Sequence, residues 1–196
     1  LVNGTNGGLA VNYTLASGTA TGVVVAKLLT IGTPSIASKV YDGTATPGAA
    51  TVGGSLGGLI LNDLVTVTAS AGSYSSKNVG SYPGTTVNYI LADVTTGSFQ
   101  GFAADYVLPS STATGVITIR SITISAVAST KIYDGVTTSA GSVAVTSGAL
   151  QTGDSLSGVV QTYDNRNVGT SKGLTLSGTI TDGNSGNNYS ATYVSG

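Results

Sequence analysis

The stretch Lys39-Val40-Tyr41-Asp42-Gly43 recurs 92 residues later as Lys131-Ile132-Tyr133-Asp134-Gly135. Other blocks recur in the same order at nearly the same offset. These are Asp63-Leu64-Val65 with Asp154-Ser155-Leu156, Lys77-Asn78-Val79-Gly80 with Arg166-Asn167-Val168-Gly169, Asn12-Tyr13 with Asp105-Tyr106 and Asn188-Tyr189, and Thr19-Ala20-Thr21-Gly22-Val23 with Thr112-Ala113-Thr114-Gly115-Val116. Ordered recurrence of this kind indicates an internal repeat of about 92 residues.

The repeat boundaries follow from a change in the apolar pattern. Ile117 and Ile119 place the apolar face on odd positions, whereas Ile122 and Ile124 place it on even positions. Because side chains of a strand alternate strictly between faces, the run must twist, bulge or change partner at Arg120. We therefore expect the terminal strands of a preceding repeat at 1–27, a complete repeat at 28–120, and a second repeat lacking its last strand at 121–196.

The secondary structure predicted from this sequence is all β. Thr, Val, Ile and Tyr dominate, and Gly, Asn, Asp and Ser interrupt the apolar runs at short intervals. Val65, Val67 and Ala69 alternate with Thr66 and Thr68, which is typical of a half-buried strand. No window holds an apolar stripe at helical spacing with helix formers on its other face.

The composition excludes several classes of function. The 196 residues contain no His and no Cys, which excludes thiol chemistry, an imidazole base and the usual zinc sites. Charged residues are 8% of the chain, and the seven Lys and Arg are scattered, so no basic surface for nucleic acid is expected. No apolar run reaches the ~20 residues that a membrane-spanning helix needs.

The ordered set K-[VI]-Y-D-G, [GN]-D, [KR]-N-V-G, [ND]-Y and T-A-T-G-V resembles the YDG repeat family, whose modules are akin to bacterial Ig-like repeats. The resemblance covers nearly the whole chain. It implies tandem Ig-like β-sandwich repeats joined end to end, with small β-grasp-like open-sheet repeats as the alternative fold. The sequence departs from the family pattern at Asn62-Asp63, where G-D is usual, and at Asp105-Tyr106, where N-Y is usual.

The resemblance also implies a function and a location. The family occurs in large secreted bacterial adhesins and filamentous-haemagglutinin-like exoproteins, so we expect a non-catalytic stalk or spacer on the bacterial cell surface. One alternative is a module that binds carbohydrate or a surface through Tyr74, Tyr82, Tyr89, Phe99 and Phe102. Another is a self-assembling extracellular fibre subunit, in which residues 20–26 of one molecule lie beside residues 188–194 of the next.

The motif residues are expected to be structural. In Tyr41-Asp42-Gly43 and Tyr133-Asp134-Gly135, we expect a tight turn whose Tyr packs on the core edge and whose Asp caps backbone N–H groups, with a contact between repeats as the alternative. A β-turn is expected at Asn78 and Gly80 and again at Asn167 and Gly169, with a cation held near Asp63 or Asp154 as the alternative.

Ligand expectations are few. An oxygen-rich loop makes Asp182, Asn184 and Asn187 a weak calcium candidate, because hard cations prefer such ligands but only one carboxylate is present. We expect no catalytic residue, cofactor, nucleic-acid partner or membrane span. The expected partners are neighbouring repeats of the same chain and other copies by strand addition; the sequence identifies no host or matrix receptor.

Overall fold

A computed structural model describes residues 2–15, 17–95, 97 and 100–196. Within these residues there are thirteen strands, two 3-10 turns at Ala10–Asn12 and Ala103–Asp105, and no α-helix. The all-β prediction is therefore confirmed. No helix in the described part of the chain has the length and apolar character to cross a membrane. Phe99, one of the aromatic candidates, lies outside the described residues.

The range 28–120, here called the first repeat, contains most of the first eight strands. They are β1 Lys27–Leu28, β2 Thr30–Ile36, β3 Lys39–Val40, β4 Ala50–Gly57, β5 Val65–Ala71, β6 Gly80–Asp93, β7 Tyr106–Val107 and β8 Ser111–Thr118. One sheet has the order β3-β8-β6-β5, with β8 antiparallel to β6 and parallel to β3. Strands β2 and β4 form an antiparallel pair, and β1 and β7 form a parallel pair.

The range 121–196, here called the second repeat, contains fewer paired strands. They are β9 Arg120–Ala126, β10 Val143–Ser147, β11 Val159–Tyr163, β12 Leu174–Gly178 and β13 Tyr189–Val194. Strand β9 lies between β10, which is antiparallel to it, and β13, which is parallel to it. Strands β11 and β12 form an antiparallel pair.

The strands follow the alternation seen in the sequence. Val65 is buried and Val67 is half-buried in β5, while Thr66 and Thr68 are exposed. The change of apolar parity coincides with a change of partner. Strand β8 pairs with β6 and β3, whereas β9, which begins one residue after Ile119, pairs with β10 and β13.

The main core cluster runs through both repeats. Ile36, Val87 and Ile117 belong to the first repeat and Ile122 and Ile124 to the second, and all five are in one cluster of buried side chains. A smaller cluster, formed by Leu29, Val65 and Tyr106, lies in the first repeat.

Residues 20–26, which the sequence predicts as a strand, pair with no strand in the described part of the chain. Val23, Val24 and Val25 are 86%, 100% and 80% exposed. A single strand has no internal hydrogen bonds, so a pattern favourable to strand becomes one only where a neighbouring strand completes the ladder.

Candidate functional site: the contact between the two repeats

The motif K-[VI]-Y-D-G forms the same ion-paired turn in both repeats. Lys39 Nζ donates to Asp42 Oδ1 at 2.7 Å, and Lys131 Nζ donates to Asp134 Oδ1 at 2.8 Å. The same Asp42 oxygen accepts the N–H of Thr44, two residues further on. The following glycine has positive φ in each copy, +78° at Gly43 and +82° at Gly135, which explains why glycine occupies this place in the turn.

Both turn carboxyl groups are held ionised by their donors. The hydrogen bonds from Lys131 and then from the N–H of Val136 hold the pKa of Asp134 below its ordinary value. At Asp42 burial opposes this effect, but the hydrogen bonds from Lys39 and Thr44 outweigh it and the pKa is again lowered. The Asp of the motif thus caps and braces its own turn.

Tyr41 reaches from the first turn into the second repeat. Its ring is fully buried, and its hydroxyl donates to Asp154 Oδ2 at 3.1 Å. Tyr189 donates to the same oxygen at 2.6 Å and accepts the N–H of Gln151 at 2.8 Å. The two rings meet edge to face, with centroids 5.5 Å apart.

The tyrosines around Asp154 are poor acids. Burial, and then the hydrogen bond to the Asp154 carboxylate, raises the pKa of Tyr41 to about 12. The same two causes raise the pKa of Tyr189. Lys77 Nζ lies 4.0 Å from Asp154 Oδ1, and the Asp154 side chain is only 1% exposed. The arrangement thus places a carboxylate between two neutral hydroxyl donors and a lysine at the protein surface.

A second group of hydrogen bonds joins Asn78 and Val79 to Asn188. The N–H of Val79 donates to Asn188 Oδ1 at 2.9 Å, and Asn188 Nδ2 donates to Asn78 Oδ1 at 3.1 Å. Asn188 is fully buried. Arg120 adds a bond from Nη1 to the carbonyl oxygen of Tyr41 at 3.2 Å. The K-N-V-G stretch of one repeat thus contacts the N-Y pair of the next.

The calcium candidate forms a loop closed by its own hydrogen bonds. Asp182 Oδ1 accepts the N–H groups of Asn184 and Gly186 at 2.7 and 2.8 Å, and Oδ2 accepts the N–H of Asn188 at 3.0 Å. Burial opposes ionisation, but these backbone donors outweigh it and lower the pKa of Asp182. The Asn187 amide donates to the carbonyl of Asn184. The carboxylate therefore braces the loop that positions Asn188.

No group of three or more metal-ligating side chains of the types His, Cys, Asp and Glu occurs among the described residues.

Among the described residues, Tyr133, Asn167 and Gly169 of the second repeat make no such contact and are exposed. Tyr133 is 58% exposed, whereas its counterpart Tyr41 is completely buried. Asn167 and Gly169 are exposed, whereas Asn78 and Gly80 are half-buried. An open groove of about 470 Å³ lies beside these residues.

The first repeat has its own counterparts of Tyr189 and Asp154, which are Tyr106 and Asp63. Tyr106 donates to Asp63 Oδ2 at 2.6 Å and accepts the N–H of Ile60 at 3.1 Å. This is the arrangement of Tyr189, Asp154 and Gln151 in the second repeat. The hydrogen bond to Asp63, and then burial, raises the pKa of Tyr106.

The sequence alone does not predict that Tyr41 contacts Asp154. A signal exists, because each repeat has both an Asp before the K-N-V-G stretch and an Asp-Tyr or Asn-Tyr pair near its end. The two halves lie 113 residues apart, so spacing alone does not bring them together.

The comparisons with known proteins agree with the repeated motifs. The model of the YDG domain family matches residues 25–114 and 118–196. No curated protein and no solved structure matches the chain. Because the two matched segments cover most of the 196 residues, the chain belongs to the YDG domain family.

Proposed function

We propose that this chain is a structural spacer segment of a secreted bacterial cell-surface adhesin, in which Ig-like β-sandwich repeats joined end to end hold a binding region away from the cell. The proposal takes its adhesin setting from what the family resemblance implies. It takes its mechanism from the hydrogen bonds and the shared core that join the two repeats.

The observation that carries the proposal is the Asp154 carboxylate, which is buried and shared by a tyrosine from each repeat. Bending at the joint would separate this buried carboxylate from its hydrogen-bond donors and leave those groups without partners. Because that loss costs free energy, the contact resists bending. The link between β8 and β9 is the single residue Ile119, which leaves no flexible tether. A spacer needs both properties, because reach depends on a joint that keeps its angle.

The aromatic residues favour a spacer over a carbohydrate-binding module. Tyr74 is 5% exposed and stacks on Tyr82 with centroids 4.6 Å apart and an interplanar angle of 8°. Tyr89 is half-buried and packs against the core. Sugar-binding platforms present aromatic faces to solvent, whereas these rings are used in packing. Of the described candidates, Phe102 is the exception, with 54% of its surface exposed.

Electron spin resonance distance measurements test the proposal. The chain has no Cys, so cysteines introduced at Ile90 in β6 and Val160 in β11 take spin labels selectively. Both positions are exposed and lie on strands of different repeats. We expect one narrow distance distribution. A broad distribution in the otherwise unchanged chain would contradict a stiff spacer.

Solution scattering supplies the second test. Two repeats joined end to end give an elongated particle about two modules long. A compact, nearly spherical particle would contradict the end-to-end arrangement on which reach depends.

A further inference from the structure

We infer that the first repeat is a mechanical clamp, in which tension along the chain loads its first and last strands in shear. The inference concerns resistance to pulling, whereas the spacer role requires a joint that keeps its angle. It rests on the proposed function for the source of the tension, because a spacer between a cell and a bound surface is pulled from both ends.

The first and last stretches of this repeat, residues 27–40 and 106–118, run side by side in the same direction. Strand β1 is parallel to β7, with Lys27 opposite Tyr106, and β3 is parallel to β8, with Val40 opposite Thr118. Between these two ladders, β2 packs against β8. The register changes by only one residue from one ladder to the other, so the two stretches lie alongside each other from beginning to end.

Further hydrogen bonds strengthen both ladders. The N–H of Leu29 donates to the carbonyl oxygen of Val107 at 2.9 Å, and the N–H of Tyr41 donates to that of Thr118 at 2.9 Å. The Thr118 hydroxyl donates to the carbonyl oxygen of Lys39 at 3.2 Å. On its other edge β8 pairs with β6, so the last strand of the repeat is held on both sides.

The parallel direction decides how this pairing responds to force. Tension enters the repeat at the beginning of β1 and leaves it at the end of β8. Because the two stretches are parallel, these points lie at opposite ends of the pairing, and the strands are pulled past each other with all their hydrogen bonds loaded together. In an antiparallel hairpin such as β5–β6, both ends lie at one edge, where tension opens one residue pair at a time.

The link between the repeats transmits tension without slack. Ile119 is the single residue between β8 and β9, so the last strand of the first repeat pulls directly on the first strand of the second. A load therefore passes from one hydrogen-bonded strand to another, and not through a loop that could extend first.

The same parallel pairing recurs in the second repeat. Strand β9 is parallel to β13, with Arg120 opposite Tyr189. These residues are the counterparts of Lys27 and Tyr106, which are opposite each other in the first repeat. This ladder has six residue pairs, whereas β1–β7 has two. Both repeats thus use the same register to place the beginning of the unit beside the Tyr of the [ND]-Y pair.

Pulling single molecules in two directions tests the inference. The chain has no Cys, so pairs of introduced cysteines attach the handles of an optical trap selectively. Cysteines at Val25 and Ile119 flank the first repeat and load its parallel ladders in shear. Cysteines at Val25 and Ala104 pull on the ends at which β1 and β7 both begin, and open that ladder pair by pair. All three positions are exposed.

We expect the rupture force to be several-fold higher along Val25–Ile119 than along Val25–Ala104. Rupture under force reports the unfolding barrier in the direction of pulling, whereas urea unfolding reports equilibrium stability. Urea unfolding should give both cysteine pairs the stability of the unchanged chain. The difference in force then comes from the direction of the load and not from a damaged fold.

A matched pair of variants tests the β3–β8 ladder itself. Thr118→Val removes the hydroxyl that bonds the Lys39 carbonyl and keeps the branched shape of the side chain. Thr114→Val makes the same change at another exposed position of β8. Under constant force along Val25–Ile119, Thr118→Val should shorten the lifetime of the folded repeat several-fold, because its hydroxyl crosses a loaded pair of strands. Thr114→Val should leave the lifetime unchanged.

Equal rupture forces in the two directions would overturn the inference, and so would equal lifetimes of the Thr118→Val and Thr114→Val variants. The spacer proposal is judged separately, by solution scattering and by the distance between labels at Ile90 and Val160. A narrow label distance with equal rupture forces would retain the spacer and reject the clamp. A broad label distance with unequal forces would do the reverse.

Discussion

At the scale of single residues, the joint depends on hydroxyl and amide groups that both repeats contribute. Tyr41 and Tyr189 donate to one oxygen of Asp154, and Asn188 bonds both Asn78 and the N–H of Val79. Tyr41, Tyr189 and Asn188 are buried, so none of them exchanges its partner for water without cost. The repeat itself supplies matched controls for Tyr41 and Asn78, because their counterparts Tyr133 and Asn167 are exposed.

Tyr41→Phe removes one hydroxyl and keeps the ring. We expect the free energy of unfolding to fall by about 1 kcal/mol, since Asp154 loses one of its two hydroxyl donors. Tyr133→Phe makes the same chemical change at an exposed position and should shift stability by less than about 0.5 kcal/mol. Urea unfolding measures both, and equal effects of the two substitutions would contradict the role given to Tyr41.

The raised tyrosine pKa values predict a loss of stability in alkali. The folded-state pKa of Tyr41, about 12, lies above the ordinary 10.0, so its contribution is fully present below pH 10. It is lost as pH rises from 10 through 12, because the unfolded chain releases the proton first. Phenolate absorbance should show a late-titrating component that is smaller in Tyr41→Phe and unchanged in Tyr133→Phe.

Asp182 gives a residue-scale prediction that separates bracing from metal binding. Asp182→Ala leaves three backbone N–H groups without their acceptor, and we expect a loss of about 3 kcal/mol. Asp182→Asn keeps one acceptor oxygen and should lose less. Adding Ca²⁺ should not change the unfolding temperature of the unchanged chain. A calcium-dependent rise that Asp182→Ala abolishes would assign the loop to a cation instead.

At the scale of elements, β8 is the strand on which the first repeat is built, since it pairs with both β3 and β6 and places Gly115 against Tyr74. Gly115→Ala forces this ring, and Tyr82 stacked on it, to move. We expect a loss of 1–3 kcal/mol, the usual range for overpacking. Gly22→Ala is the control, because nothing lies within 4 Å of its added Cβ and monomer stability should not change. An undisturbed fold in Gly115→Ala would contradict the packing.

The strands and turns show which features of the fold can be predicted from the sequence and which cannot. Alternation in Val65, Thr66 and Val67 predicts β5, because burial of one face is a local property of the strand. The parity change near Ile119 predicts a change of partner but cannot say which strands are exchanged. The Tyr41 turn is visible in its K-x-Y-D-G spacing, whereas its acceptor Asp154 is not, because that contact depends on how two distant segments dock. Residues 20–26 have a strand pattern, yet the partner that would complete the ladder is not encoded locally.

At the scale of the whole molecule, one core cluster and one set of hydrogen bonds couple the two repeats. In repeat proteins the interface between neighbours contributes much of the stability, so coupling at the joint decides whether units unfold together. The low charge of the chain, 8% of residues, makes this coupling depend on burial and hydrogen bonds more than on screened ion pairs.

We therefore expect the unchanged chain to unfold in a single calorimetric transition, with the calorimetric and van't Hoff enthalpies equal. The double variant Tyr41→Phe/Asn78→Ala removes a hydrogen bond from each half of the joint while leaving both turns intact. This double variant should broaden the unfolding transition or divide it in two, because each repeat is then stabilised less by its contact with the other. Tyr133→Phe/Asn167→Ala makes the same changes in the exposed copy of the motifs and should retain one sharp transition. If both double variants unfold like the unchanged chain, the hydrogen bonds at Asp154 and Asn188 do not couple the repeats, and the coupling comes instead from the shared core cluster and the β8–β9 link.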